Sequence, residues 1–291
     1  SKIVTASSVV VLLRQSLRNT ERRLLRAGIG DSRIEADLIW MTALEIDRAE
    51  LFARGSEQVS TPQAQRAEEL VLRRLNHEPA AYLMGHREFY GVDLVVGPGA
   101  LIPRPDTETL VEEAIRIAAC KPHDLIIVDC GCGTGAIAIA LAANLPYANV
   151  LAIDVSPAAL EIAQSNVERH GLGDRITLIE GDLLEPLTSP VDLITANLPY
   201  VMSNELPTLD PEVRMFEPAT ALDGGEDGLD LIRRFLWSVS SHLRPAGVVL
   251  LEMDPRQIAM GSEYVASALP NANVRAIDDL AGRPRVLVAE T

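Results

Sequence analysis

Short apolar runs bounded by glycine, proline or acidic residues recur through the last two thirds of the chain. They are Leu125–Asp129, Val150–Asp154, Ile176–Glu180, Asp192–Ala196 and Val248–Met253. Runs of this length read as strands buried on both faces, and most are separated by amphipathic stretches of helical length. The alternation predicts a parallel sheet with helices on both sides. Two further runs, Val274–Ile277 and Arg285–Ala289, follow each other through a turn around Gly282. The predicted architecture is therefore α/β, with seven strands, mostly parallel, ending on an antiparallel hairpin.

The first 80 residues follow a different period. Arg14 to Ala27 reads as a helix stopped at Gly28, Ser32 with Glu35 reads as a capping box, and Thr61-Pro62 opens another helix. In that last helix Ala64, Ala67, Leu70, Val71 and Leu75 share one face, while Arg66, Arg73 and Arg74 lie mostly off it as a solvated basic face. Residues 1–80 are thus expected to form a small helical domain. From 81 to 105 the chain turns extended, with Phe89-Tyr90, Leu94-Val95-Val96 and Leu101-Ile102 interrupted by Gly91 and Gly97-Pro98-Gly99, which predicts a β-hairpin linker. Residues 106–291 make up the sheet domain.

Charge separates the same regions. Residues 1–80 hold 12 Lys+Arg against 11 Asp+Glu, and the remainder holds 14 against 30, which makes up the net −15. An acidic sheet domain argues against direct nucleic-acid binding, which needs basic side chains to neutralise phosphates. A protein or a small molecule fits better as partner. No segment approaches the roughly 20 apolar residues of a membrane helix. The amino-terminal apolar patch carries Arg14 and Arg18 and has no small-residue cleavage site, so a cytoplasmic protein is expected. Cys120, Cys130 and Cys132 lack C-x-x-C spacing and are expected to be buried as small hydrophobes; the five histidines are scattered, so no metal site is predicted. Asp223 to Gly228 does not read as a calcium loop, because Gly225 and Arg234 occupy ligand positions.

Candidate chemistry gathers at the strand ends. The first strand runs into Gly131-Cys132-Gly133-Thr134-Gly135 and then a helix, a turn that lets a ligand approach the backbone. That spacing serves a dinucleotide or S-adenosylmethionine alike. Asp154, ending the second strand, suits a carboxylate that accepts ribose hydroxyls, in preference to capping the next helix, where Ser156 is better placed. Asp182 and Leu183, after the third strand, would lie along the edge and face of an adenine. The fourth strand ends in Asn197-Leu198-Pro199-Tyr200. An Asn carbonyl, the next backbone carbonyl and an aromatic face can hold a planar NH2 group by its hydrogens and aim its delocalised lone pair. Tyr200 is expected to stack on the target. Alkylation of a flat nitrogen is the chemistry this predicts.

Asn197 to Tyr200 resembles the [DNS]-P-P-[YF] motif of amino-methyltransferases. Pro79-Ala80-Ala81-Tyr82-Leu83-Met84-Gly85, Arg87-Glu88-Phe89-Tyr90, Leu101-Ile102-Pro103-Arg104-Pro105-Asp106-Thr107-Glu108, Phe216-Glu217-Pro218 and Asp223–Leu229 are similar to the release factor glutamine methyltransferases, the PrmC or HemK family. The resemblance covers nearly the whole chain. It implies the class I S-adenosylmethionine-dependent methyltransferase fold, with the cofactor held by Gly131 to Gly135, Asp154, Asp182, Leu183 and Asn197, and with Thr107 near its methionine end. It also implies a substrate, the glutamine of the Gly-Gly-Gln loop of a peptide chain release factor, and a release-factor-docking role for the helical domain.

Two positions depart from the family pattern. Leu198 stands where proline is usual, but that position is expected to offer only its backbone carbonyl, and leucine retains it while losing proline's rigidity. The same spelling occurs in ribosomal RNA adenine dimethylases, so methylation of an rRNA or DNA adenine is the enzymatic alternative. The helical domain, the acidic balance and Leu101–Glu108 do not resemble that family. Glu252-Met253-Asp254 ends in Asp254 where glycine is common, and no function is carried onto Asp254. A cofactor-binding partner of release factors without catalysis is the remaining alternative.

Overall fold

The computed structural model describes residues 11–121 and 124–291. They fall into two units, one ending at Gly85 and one spanning His86–Thr291. Much of the amino-terminal apolar patch lies outside the described residues, as does His123.

The first unit is helical: α1 (Leu13–Arg26), α2 (Ser32–Leu44), α3 (Arg48–Ala53), α4 (Thr61–Leu75) and α5 (Ala80–Met84). Leu13, Leu24, Ile39, Trp40, Leu51 and Val71 form its core. Trp40 carries a polar atom into that core and satisfies it by donating from Nε1 to the Thr20 hydroxyl at 3.0 Å. The capping box forms at Ser60, where the Gln63 side chain accepts from the Ser60 N–H at 3.0 Å. The one expected at Ser32 does not form. Asp31 is the N-cap there, and Glu35 is turned instead to Arg74 by a two-pronged pair at 2.5 and 3.0 Å. Arg74 is therefore buried, at 5% exposure, and is not part of a solvated basic face. Arg66 and Arg73 do stay exposed, paired with Glu45 and Glu78.

In the second unit β1 (His86–Phe89) and β2 (Val92–Val95) form an antiparallel hairpin. After it come α6 (Glu108–Ala118), β3 (Ile126–Cys130), α7 (Ala136–Asn144), β4 (Asn149–Asp154), α8 (Pro157–Arg169), β5 (Ile176–Glu180) and β6 (Val191–Ala196). The chain continues through α9 (Pro211–Phe216), α10 (Asp230–His242), β7 (Leu243–Glu252), α11 (Ile258–Ala268), β8 (Asn273–Asp278) and β9 (Pro284–Glu290). The seven-stranded sheet has the order β5-β4-β3-β6-β7-β9-β8, parallel except at β9, which runs against both neighbours. This is the class I methyltransferase arrangement of the doubly wound sheet.

Side chains alternate across the strands and build one core on each face. Ile127, Leu193 and Leu250 pack with Leu110 and Ile139 on one side. Val128, Ile194 and Leu251 pack with Phe235 and Val265 on the other. From β3 the chain steps outward to β4 and β5 and then returns to β6 on the opposite side, so a crevice opens beyond the carboxyl ends of β3 and β6. Cys130 and Cys132 are buried as expected, but Cys120, just past the end of α6, is exposed. Among the described residues no helix is long and apolar enough to cross a membrane.

Candidate active site

An open cleft of about 1030 Å³ occupies this crevice. Gly131, Cys132, Gly133, Thr134, Asp154, Asp182, Leu183, Asn197, Leu198, Pro199 and Thr107 line it, so eleven of the thirteen residues singled out from sequence meet in one place. Gly135 and Tyr200 do not line it.

The turn after β3 is held from three directions. The N–H groups of Gly131 and Cys132 both donate to the Ile153 carbonyl, at 2.8 and 2.9 Å, which ties the turn to β4. Gly131 has φ +75°, and a Cβ there would stand 3.1 Å from Leu198 Cδ2, so glycine serves both the left-handed turn and the close approach to the tetrapeptide. Asn166 on α8 is wholly buried and donates to the carbonyls of Thr134 and Val95, both at 3.0 Å, stapling the turn to the hairpin. Gly135 points away from the cleft because it begins α7, and a Cβ on it would meet Ala163 of α8.

Asp154 receives the Gly133 N–H at 2.7 Å on one oxygen and the Ser156 N–H at 2.9 Å on the other. Those bonds orient the carboxylate at the cleft wall, while Ser156 caps α8 by accepting from Ala159. Burial raises the Asp154 pKa, and the backbone donors work against that rise. Asp182 makes an exposed ion pair with Arg234 at 2.6 Å, so its carboxylate is shared with α10.

Asn197 is half-buried at the end of β6, and its Nδ2 donates to the Thr107 hydroxyl at 3.1 Å. Its side-chain oxygen is thereby left for another donor. Leu198 is 3% exposed, and among the described residues no donor reaches its backbone carbonyl. Tyr200 sits behind the cleft wall, against the core formed on the α10 and α11 side. Its carbonyl accepts from Gln257 Nε2 at 3.0 Å, and burial raises its phenol. The stacking face expected of Tyr200 is not part of the cleft lining.

Residues that sequence reasoning missed complete the site. Asp129 is fully buried and accepts from the Ala138 N–H at 3.1 Å, anchoring the start of α7; burial pushes its carboxyl up to about 7. Glu217 clamps the segment before Thr107, accepting from the Ile102 N–H at 3.0 Å and from Arg104 at 2.5 Å. Arg104 lines the cleft. Glu252, 1% exposed at the end of β7, is pushed to about 7 by burial, against the Thr107 and Tyr200 hydroxyls and Arg285, which favour its charged form. No sequence signal marks these acids, because their partners lie on other elements. Cys130 and Cys132 offer no thiolate nucleophile, since burial pushes both thiols well up. Among the described residues no group of His, Cys, Asp and Glu is placed to hold a metal ion.

Comparison with known proteins identifies the chain's relatives. Residues 15–85 match the PrmC N-terminal domain family and residues 127–215 match a methyltransferase domain family. The chain is 41% identical over 279 residues to the release factor glutamine methyltransferase of Moorella thermoacetica, covering 95% of this chain and 98% of that protein. It is likewise 41% identical over 251 residues to that of Geobacter sulfurreducens, covering 86% and 87%. The chain belongs to the release factor glutamine methyltransferase family. A crystal structure of a methyltransferase from Pyrococcus furiosus shares the fold, with TM-score 0.51 and 18% identity over 69% of this chain and 90% of that one. Leu101–Arg104 and Phe216-Glu217-Pro218, two of the segments that resemble the release factor glutamine methyltransferases, meet in the Glu217 clamp at the cleft's edge.

Proposed function

We propose that this protein methylates the side-chain amide nitrogen of the glutamine in the Gly-Gly-Gln loop of a peptide chain release factor, in the cytoplasm, with S-adenosylmethionine as donor. The observation that carries the reading is the Asn197–Thr107 hydrogen bond inside a cleft that also holds Asp154 and the glycine turn. The cleft suits the cofactor: Asp154 stands ready for ribose hydroxyls, and Leu183 is available to an adenine face. When bound, S-adenosylmethionine supplies an electrophilic methyl group on a sulfonium.

The chain's own part is positioning and electrostatics. The Asn197 side-chain oxygen and the Leu198 carbonyl accept the two hydrogens of the glutamine amide. Two acceptors on those hydrogens raise the electron density on the nitrogen and fix the direction in which its lone pair meets the methyl group. Pro199 limits the backbone freedom of the grip, and Tyr200 supports it from behind. As the new N–C bond forms, the methyl group's bond to sulfur breaks and its electron pair stays on sulfur as a thioether; the nitrogen becomes acidic and its proton leaves to water, so no strong base is needed. The helical unit takes the docking role for the release factor.

The test is incubation of the protein with a release factor, RNA and methyl-labelled cofactor, followed by mass spectrometry. Label on the Gly-Gly-Gln glutamine is expected. Label on RNA adenine, or cofactor binding without any transfer, would overturn the reading.

A further inference from the structure

The charged residues lining the cleft are Asp154, Asp182 and Arg104, so Arg104 is the one basic side chain there among the described residues. Asp154 and Asp182 stand at the β4 and β5 ends, and Asn197 follows β6 on the other side of the glycine turn. With the adenosine of S-adenosylmethionine at Asp154 and Asp182, its amino-acid portion falls towards the β3 and β6 ends. Arg104 belongs to that side, because it shortly precedes Thr107, which Asn197 Nδ2 holds at 3.1 Å. The amino-acid portion brings an α-carboxylate into a chain of net charge −15 and a cleft with two acids. An anion in such a place needs backbone N–H donors or a cation. The glycine turn has few donors left: the N–H groups of Gly131 and Cys132 go to the Ile153 carbonyl, that of Gly133 to Asp154 and that of Gly135 to the Cys132 carbonyl.

Arg104 has donors to spare. A guanidinium is a planar fork of several N–H groups. Glu217 takes Nη2 at 2.5 Å, and among the described residues no acceptor takes Nε or Nη1. The Glu217 side chain is 1% exposed, and its other oxygen accepts the Ile102 N–H at 3.0 Å, so the acid that holds the arginine is itself fixed. The Arg104 side chain keeps 34% exposure. We propose, on the footing that S-adenosylmethionine is the cleft's ligand, that Arg104 binds its α-carboxylate with these remaining donors, and that Glu217 is the positioning residue that aims the guanidinium. A lysine would supply the charge without the fork that serves Glu217 and a second carboxylate at once. The pairing also discriminates. A ligand without the carboxylate would bring only its ammonium group towards the guanidinium, like charge to like charge.

The experiment measures, by calorimetry on the full chain, the binding of S-adenosylmethionine and of its decarboxylated form, which keeps the adenosine, the sulfonium and the amine. Wild type should bind the decarboxylated form about 10- to 100-fold more weakly. Arg104→Met should weaken S-adenosylmethionine by a similar factor, about 10- to 100-fold, and the decarboxylated form by less than about threefold. Arg104→Met leaves the Glu217 carboxylate buried without its cation. The same comparison is therefore made in Arg104→Met/Glu217→Gln, whose glutamine oxygen can still accept from Ile102. An equal loss for the two ligands, or a loss of less than about threefold for S-adenosylmethionine, would overturn the proposal. If neither variant folds, wild type alone decides: equal affinity for the two forms overturns the carboxylate site. A wild type that binds neither form sinks the reading of the cleft as an S-adenosylmethionine site, whereas tight binding of S-adenosylmethionine that survives Arg104→Met sinks only the role of Arg104.

Discussion

Asn197 Nδ2 donates to the Thr107 hydroxyl at 3.1 Å, joining two residues 90 positions apart into one wall of the cleft. Asn197 stands at the end of β6, while Thr107 directly precedes α6 and is 4% exposed. The relationship gives the tetrapeptide a fixed side chain before any substrate arrives, which is what preorganised catalysis requires.

Asn197→Ala removes the acceptor and leaves the glycine turn and Asp154 in place. Loss of one such preorganised group costs on the order of 10²–10³ in kcat, about 3–4 kcal/mol. Methyl transfer to the release factor should drop by that amount, with cofactor affinity by calorimetry changed only slightly. Turnover near wild type would remove Asn197 from the chemistry.

Asp154→Ala should act on the other half of the site. Hydrogen bonds to a charged group contribute about 1.5–3 kcal/mol each, so cofactor Kd should rise roughly 10- to 100-fold. Because burial raises the Asp154 pKa, wild-type affinity should weaken as pH falls through that raised value and the carboxylate is protonated. Calorimetric titration across pH checks both, and a pH-independent Kd that Asp154→Ala leaves unchanged would exclude the carboxylate.

Much of this was legible in the sequence, for a physical reason. A parallel strand buried on both faces must be apolar along its length and must end where the chain turns, so β3 to β6 and their terminal Gly131, Asp154, Asp182 and Asn197 stand out. Tertiary pairing is what remained hidden. Arg74 falls on the polar side of a helical pattern, yet it is buried because Glu35 meets it. Tyr200 looks like a stacking platform, yet it packs against the core on the α10 and α11 side and does not line the cleft. The helical turn at Ala80–Met84 is too short to show a period. Asp129 is a single acid whose role exists only once α7 is beside it.

Asp129 makes the fold itself sensitive to pH. Its folded pKa of about 7 lies above the ordinary carboxyl value of 3.8, so its contribution favours folding below about 4 and is lost as pH rises through about 7. Asp129→Asn removes the penalty while keeping the bonds: its oxygen accepts from Ala138, and its NH2 donates to the Thr195 hydroxyl, which also lies 3.2 Å from the Val128 carbonyl. Relative to wild type, the variant should gain on the order of a few kcal/mol at pH 8 compared with pH 5. Urea unfolding at both pH values gives the difference, and an equal effect at each would show that Asp129 is not buried as a strained charge.

Gly228→Ala should separate support of the tetrapeptide from cofactor binding. Gly228 has φ +76°, and a Cβ there would stand 2.3 Å from both the Tyr200 carbonyl oxygen and Gln257 Nε2, the pair whose hydrogen bond holds Tyr200 in place. Neither backbone nor the bridging amide can yield without moving Tyr200, so the methyl group costs more than the ~1 kcal/mol of an ordinary left-handed alanine. The three atoms nearest that position belong to Gln257 and Tyr200, not to the glycine turn, Asp154 or Leu183. The expected result is a lowered midpoint in thermal unfolding and a kcat reduced at least about tenfold, with cofactor Kd nearly unchanged. Loss of cofactor affinity in step with kcat would mean that the Asp223–Leu229 loop supports the whole cleft and not the tetrapeptide alone.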